Sequence, residues 1–242
     1  MSILTQPIRP LVLRLIFIGA PGTGKGTYAS RLAKSWGIAH VSTGDLIREE
    51  INRNSDLGNS LRQRSVKGEL VPDDVVVAIC KDKLLRKECE KGWILDGFPR
   101  TLSQAVQLQV ICPPTLCVHL FLPDNILVTK LLARRICRTC GGNFNVANIH
   151  SPPYELPPLL PPSDCQTCHG DPEFLNRADD TETVVKNRLA IFARESEPLL
   201  RFYKEQGVLL NFHVKKGLKD LPDLSAQILS RASGQELCTD LS

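Results

Sequence analysis

The chain has 242 residues, with 30 Lys and Arg against 26 Asp and Glu for a net charge of +4, and is 42% hydrophobic with 5% aromatics. That balance excludes a disordered chain and a polycation that coats nucleic acid, and the length suits one large domain carrying an insertion, or two small ones. No apolar run approaches the roughly 18 to 20 residues that span a bilayer, and MSILTQPIRP has neither the apolar core nor the cleavage site of a secretory signal. A cytoplasmic protein with no membrane partner is expected, with a mitochondrial address as the alternative because no acidic residue precedes Asp45.

Val12 to Ile18 is a nearly continuous apolar run, the mark of a buried strand, and Gly19 to Thr27 after it is glycine-rich. Val75, Ile79, Leu84 and Leu85 then have helical spacing, Gly92 to Leu95 and Leu116 to Leu122 read as further buried strands, and Ile126, Leu127, Leu131 and Leu132 as a second helix face. Strands alternating with helices predict an α/β fold, a doubly wound parallel sheet with helices on both faces. From Cys137 to about Arg177 no period is found, and Ser151 to Ser163 holds six of the 17 prolines, so neither a long helix nor a central strand fits there. An amphipathic helix is predicted over about Asp179 to Gln206, with Val185, Leu189 and Phe192 facing inward, followed by a strand at Val208 to Val214. The expected organisation is a core of residues 11–136 and 177–232, an insertion at 137–176, and flexible termini at 1–10 and 233–242.

Gly19-Ala20-Pro21-Gly22-Thr23-Gly24-Lys25-Gly26-Thr27 lies between a predicted strand and a predicted helix. Glycines let backbone N–H groups turn inward around an anion, the helix N-terminus adds positive potential, and a lysine supplies mobile charge for the outer phosphates. The generic pattern has Ser or Thr directly after the lysine, whereas here Gly26 intervenes and the hydroxyl falls on Thr27.

Nine cysteines, an odd number in a chain without an export signal, argue against a disulfide framework. Cys137 and Cys140 form one CxxC knuckle and Cys165 and Cys168 a second, with 24 residues between them. Four thiolates at such spacing make a closed tetrahedral Zn²⁺ site, structural in kind because no position is left for water. His150 and His169 lie close enough in sequence to substitute as ligands, but a lone loop histidine is more often solvated.

The GxPGxGKGT form resembles that of the nucleoside monophosphate kinases. Ser42 to Arg48 is similar to their acceptor-binding segment, Gly68-Glu69-Leu70-Val71-Pro72-Asp73 to their acceptor-base loop, Leu95 to Thr101 to their central signature, and Arg134-Arg135, Arg177 to Asp180 and Arg188 to their lid hinges. The resemblance runs from about Val12 to Leu229 and is to the long-lid adenylate kinases, some of which carry zinc in the lid. It implies reversible transfer of the ATP terminal phosphoryl group to AMP, giving two ADP. A GTP:AMP phosphotransferase and a UMP/CMP kinase are the alternatives.

By that resemblance the ATP site comprises Gly22, Thr23, Gly24, Lys25, Gly26, Thr27, Lys130, Arg134 and Lys216. Thr43, Arg48, Leu70, Val71, Gly97, Arg100, Gln104, Arg177 and Arg188 hold AMP, in a segment centred on residues 42–71. Lys25, Arg100, Arg134, Arg177 and Arg188 stabilise the moving phosphoryl group, a task that suits the planar, permanently charged guanidinium. Asp96 holds Mg²⁺ through its water shell. Lys130 departs from the arginine usual at its position, which weakens stacking on the donor base. Arg135 and Arg138 read as solvated surface charges. A zinc-ribbon, nucleic-acid-binding ATPase is a reading of a different class, but the charge is only +4 and no basic stripe interleaved with aromatics accompanies the cysteines. The partners implied are the nucleotides alone, with no nucleic acid, acting on a monomer.

Overall fold

Six consecutive residues of Leu13–Ile18 (β1), apolar but for Arg14, leave no solvated face, so this strand must be covered on both sides. The computed structural model, which describes residues 12–53, 55–67, 69–177 and 180–239, sets β1 at the centre of a five-stranded sheet. Along the chain follow α1 (Lys25–Trp36), β2 (Ala39–Ser42), α2 (Thr43–Asn52), α3 (Asp56–Lys67), α4 (Asp73–Leu84), β3 (Gly92–Asp96), α5 (Leu102–Ile111), β4 (Leu116–Phe121) and α6 (Asp124–Leu132). The inserted segment forms β5 (Arg134–Cys137), β6 (Asn143–Asn145), β7 (Ile149–Ser151), β8 (Tyr154–Leu156) and β9 (Phe174–Leu175). The chain returns through α7 (Glu182–Glu205) to β10 (Leu209–His213) and α8 (Leu221–Thr239).

The main sheet has the order β10-β4-β1-β3-β2, and every neighbouring pair is parallel. Alternation along β1 feeds two cores. Leu15 and Phe17 join Tyr28 and Leu32 of α1, Leu127 of α6 and Ile228 of α8, whereas Ile16 and Ile18 join Val76 of α4, Leu108 of α5, and Leu199 and Tyr203 of α7. Full burial of each such aliphatic or phenylalanine side chain contributes about 1.5–3 kcal/mol.

Several details depart from the sequence reading. On α4 the buried positions are Val76, Val77, Cys80 and Leu84, while Leu85 is 68% exposed, and Leu132 also faces outward. On α7, Val185 is buried and Leu189 and Phe192 half-buried, but the deepest anchors nearer its end are Leu199 and Tyr203. The last helix continues through Thr239, past the tail expected from 233. The expected helix start at Asp179, together with Gly68, Ala178 and residues 1–11 and 240–242, lies outside the described residues. The aperiodic insertion contains a three-stranded antiparallel sheet, β6-β5-β9, and a hairpin, β7-β8, that turns at Pro152-Pro153. Strands of two to four residues are too short to display a period.

That hairpin packs on the main body. Leu156 belongs to the core beneath α1 and α6, with Ile149 and Tyr154 against it. The Glu155 N–H donates to the Lys215 carbonyl (2.8 Å), and the Tyr154 hydroxyl meets His213 Nε2 at 2.9 Å. Among the described residues, no helix is long and apolar enough to cross a membrane.

α2 and α3 approach closely where the chain has no side chain to separate them. Ser55 donates to Glu50 Oε1 (2.7 Å) and accepts from the Gly58 N–H (2.9 Å), and a Cβ at Gly58 would collide with the Glu50 carbonyl. Gly58→Ala should therefore force the helices apart at a cost of about 1–3 kcal/mol. The thermal midpoint is expected to fall by several degrees, and an unchanged midpoint would show that the close approach is not needed.

Candidate active site

Parallel strands bring their carboxyl ends to one edge of the sheet, and the loop after β1 crosses that edge. A Cβ at Gly19 would strike the Leu120 carbonyl, so only glycine lets the loop leave β1 so close to β4. Gly22 and Gly24 have φ of 92° and 93°, in the left-handed region where glycine is at ease, and Gly24 caps α1. The unpaired N–H groups of the first turn of α1 thus open onto the loop, the usual cradle for phosphate. The buried Thr23 hydroxyl donates to the Ala20 carbonyl (2.9 Å), and Lys25 Nζ to the Gly19 and Ala20 carbonyls (2.6 and 3.0 Å). A Cβ at Gly26 would stand 3.0 Å from Asp96 Oδ2, which accounts for the hydroxyl being displaced to Thr27: a branched side chain here would crowd the carboxylate.

A cleft of about 750 Å³ opens above the loop. It is lined by residues 22–27, by Asp96 and Gly97 at the end of β3, and by Leu70. Lysines and arginines line it from separate elements: Lys25 at the start of α1, Arg48 on α2, Arg100 before α5, Arg134 opening β5, Arg177 after β9 and Arg188 on α7, with Arg31 of α1, which donates to the Thr27 carbonyl, at its side. Lys130 of α6 also lines it, its ammonium held below the usual lysine value by burial. Thr43, Val71, Gln104 and Lys216 do not line the cleft. The Thr43 hydroxyl lies 3.5 Å from Cys80 Sγ, and the Lys216 N–H donates to Asp220 Oδ2 (2.7 Å), beside a loop whose Gly217 carbonyl accepts from Tyr28 Oη (2.6 Å).

So much positive charge perturbs its members. Burial lowers Lys25 to about 8; the Asp96 carboxylate opposes the shift, and Arg100, Arg188 and Arg134 add to it. Arg100, whose Nε donates to the Gly97 carbonyl (2.8 Å), is pushed down by desolvation in the cleft and then by Arg188. Burial raises the Asp45 carboxyl, but hydrogen bonds from Arg48 and Ser42 outweigh this and hold it below its ordinary value. Arg134 grips Asp180 with Nε on Oδ2 (2.6 Å) and Nη2 on Oδ1, and Arg188 stands 3.6 Å from that same Oδ1. Asp180 has only 3% of its side chain exposed. Arg177 donates to Asn143 Oδ1. Arg135 bonds the carbonyls of Leu132 and Arg134, and Arg138 pairs at the surface with Glu173.

Asp180, Asp45, Asn143 and Tyr28 were not singled out from sequence. The sequence signal for Asp180 is an acid three residues after Arg177. A second polar group ties Arg100 to α4. Its N–H donates to Gln104 Oε1 (2.7 Å), Gln104 Nε2 donates to Asp73 Oδ1 (2.7 Å), and the Thr101 hydroxyl donates to Asp73 Oδ2 (2.9 Å). Thr101 also caps α5 through the Gln104 N–H (3.2 Å), so Gln104 sits in the first helical turn while Arg100 precedes it.

In the insertion, the sulfurs of Cys137, Cys140 and Cys168 lie within 4.8 Å of one another, while Cys165, the fourth cysteine of the two knuckles, stands outside that group. Backbone N–H groups of Cys140 and of Cys168 are the chief influence lowering Cys137 and Cys165, respectively, to about 7, whereas desolvation raises Cys168 to about 12. His150 and His169 are exposed and stand outside this cluster.

A family model for adenylate kinase matches residues 17–208. Among curated proteins, the "Probable adenylate kinase 6, chloroplastic" of Arabidopsis thaliana is 41% identical over 89% of this chain and 74% of its own. The "GTP:AMP phosphotransferase" of Plasmodium falciparum is 36% identical over 93% of this chain and 100% of its own, and an adenylate kinase of Caldicellulosiruptor bescii 37% identical over 90% and 97%. With a phosphate loop on β1, a cation-lined cleft above it and a match that spans most of both sequences, the chain belongs to the adenylate kinase family of phosphotransferases.

Proposed function

We propose that the enzyme transfers the terminal phosphoryl group of ATP to AMP, reversibly, giving two ADP. The observation that carries this is the convergence of Lys25, Arg48, Arg100, Arg134, Arg177 and Arg188, from six separate parts of the chain, on one cleft. Phosphoryl transfer needs little covalent help. It needs alignment, exclusion of water and compensation of charge spread over the moving group. Lys25 and the loop amides hold the donor's outer phosphates, and Arg48 and Arg100 the acceptor's phosphate. Arg134, Arg177 and Arg188 close over the group in flight, with residues 137–176 acting as a lid on the core of 11–136 and 177–232. Before substrate arrives, Asp180 keeps Arg134 and Arg188 together, so the pair is already oriented.

Asp96 fits a role toward Mg²⁺, since Gly26 leaves the space before its carboxylate free of a Cβ. The ion, carried with the triphosphate, neutralises phosphate charge. The four cysteines likewise fit Zn²⁺. Tetrahedral thiolates at about 2.3 Å from zinc stand about 3.8 Å apart, and Cys140 and Cys168 Sγ are separated by 3.8 Å. Such a metal would hold the lid's two knuckles together and take no part in transfer.

The second reading has GTP as donor. Lys130 supplies three donors and no acceptor to the cleft, which suits a 6-oxopurine at least as well as adenine. The Plasmodium falciparum relative's name supports the same reading. On the acceptor side the Thr43 hydroxyl is engaged with Cys80 and the Gln104 amide with Asp73 and the Arg100 N–H, neither lining the cleft in this structure; we take the spare N–H and lone pair of Gln104 as the contact that discriminates among acceptor bases. We assign the enzyme as a cytoplasmic monomer without nucleic-acid partners, an organelle being the alternative in view of its plastid relative.

A coupled assay of ATP and GTP against AMP, GMP, CMP and UMP tests the assignment, with ATP and AMP expected to be the best pair. Lys25→Met should lower turnover by roughly 10³-fold or more while leaving the thermal midpoint near its original value; near-normal turnover would refute the role of the loop.

The Lys25 shift also fixes a pH dependence. The folded, free enzyme holds this proton more weakly than the unfolded chain does, from about 8 against 10.5. Raising the pH from about 8 to 10.5 thus relieves a cost to folding, while a bound phosphate favours the charged lysine. ADP binding at pH 8.5 should therefore take up protons, seen as a buffer-dependent heat in titration calorimetry, and Lys25→Met should abolish that uptake.

For the lid, protein purified without chelator should contain one Zn²⁺ per chain. Cys140→Ser should lose the metal and several degrees of thermal midpoint while keeping activity in the cold. A metal content near zero together with an unmoved midpoint would exclude zinc.

A further inference from the structure

The amide of Gln104 is held in one orientation by groups that cannot exchange roles. Its Oε1 accepts from the Arg100 backbone N–H at 2.7 Å, and a backbone N–H can only donate. Its Nε2 donates to Asp73 Oδ1 at 2.7 Å, and an ionised carboxylate can only accept. Rotating the amide by half a turn would set Nε2 against an N–H and Oε1 against a carboxylate, losing two hydrogen bonds and creating two repulsions. Gln104 is 99% buried, so water is not at hand to mend the damage. Asp73 is itself fixed, because the Thr101 hydroxyl donates to its other oxygen at 2.9 Å, and Thr101 is anchored in turn as the cap of α5.

An amide has two N–H groups and two acceptor positions on oxygen. With one of each committed to the protein, Gln104 keeps one N–H and one lone pair, in a fixed order. We propose that Asp73 is a positioning residue for acceptor choice: by locking the Gln104 amide, it makes the acceptor site read an exocyclic amino group and reject an oxo group. This rests on the reading of Gln104 as the contact for the acceptor base.

The chemistry follows from the base edges. Adenine offers an amino N–H beside a ring acceptor nitrogen, and cytosine offers the same pair. Guanine and uracil offer a carbonyl oxygen beside a ring N–H, which is the reverse. An amide free to turn serves all four, as many buried amides do. An amide that cannot turn pairs with the first two and opposes the last two. Size then separates adenine from cytosine, and the lock separates both from guanine and uracil.

The test uses full-length enzyme with ATP as donor and reads kcat/KM for AMP, CMP, GMP and UMP. Asp73→Asn keeps the shape but can present either an N–H or an oxygen, so one of the two locks is lifted. The AMP:GMP and AMP:UMP ratios should each fall by roughly tenfold, about the worth of a hydrogen bond to a charged group, while AMP:CMP stays within twofold. Asp73→Glu, which restores an acceptor-only partner, should keep ratios close to those of the original enzyme. Ratios taken on one preparation do not depend on the folded fraction, so partial loss of stability leaves the test intact. Unchanged AMP:GMP and AMP:UMP ratios in Asp73→Asn would overturn the lock, as would an equal fall in AMP:CMP. Gln104→Leu separates the underlying reading. If its kcat/KM for AMP matches that of the original enzyme, Gln104 does not touch the base, and the proposal falls with that contact, not with the lock.

Discussion

Like charges gathered in a cleft repel, and the arrangement of this site is shaped by that repulsion. Two unit charges 4 Å apart interact by about 4 kcal/mol even at an effective dielectric constant of 20. A lysine can answer by releasing its proton more readily: Lys25 falls to about 8, chiefly through burial, with Arg100, Arg188 and Arg134 adding to the shift. A guanidinium has no such escape. Each arginine of the cleft is therefore supplied with a local acceptor: Asp180 for Arg134 and Arg188, Asp45 for Arg48, Asn143 for Arg177, and the Gly97 carbonyl for Arg100. These partners are weaker or fewer than the oxygens of two nucleotides. A phosphate chain entering the cleft thus exchanges makeshift counter-charges for better ones, and the cations are spaced for their ligand before it comes.

The same economy explains the loop. Gly19, Gly22, Gly24 and Gly26 answer different demands: the first a near collision with β4, the middle two a left-handed turn, and the last the space before Asp96. Only the middle two are demands a motif states openly. That Gly26 and Asp96 form one feature, a carboxylate and the room in front of it, requires β3 to be seen lying beside β1.

What was legible beforehand follows a physical division. Buried parallel strands announce themselves by composition, so β1, β3, β4 and β10 were found to within a residue or two, and the loop and its lysine were evident from local pattern. β2, four residues long with a half-exposed histidine, carried no such mark. The buried face of α4 differs from the one its spacing predicts because Val75, Val76 and Val77 are chemically alike, and only the packing of α5 against that helix selects among them. Cations in the site were recognisable from motifs, each at a conspicuous place. Their acidic partners were not, because an ion pair such as Arg134 with Asp180 joins residues 46 apart through geometry that only the fold supplies. Asp73 and Gln104 belong to the same class.

The hairpin β7-β8 gives the insertion a second allegiance. Its cysteine knuckles hold together on their own side, yet Leu156, Ile149 and Tyr154 form part of the wall of the main core, and Glu155 extends the hydrogen bonding at the end of β10. The hairpin thus belongs to the insertion by its place in the chain and to the wall of the main core by its packing. Excising residues 137–176 as a unit would uncover apolar surface beneath α1 and α6 and leave the Lys215 carbonyl without the Glu155 N–H and His213 Nε2 without the Tyr154 hydroxyl. A shortened relative would have to fill that wall with other side chains, so the length of this segment cannot vary independently of the core it leans on.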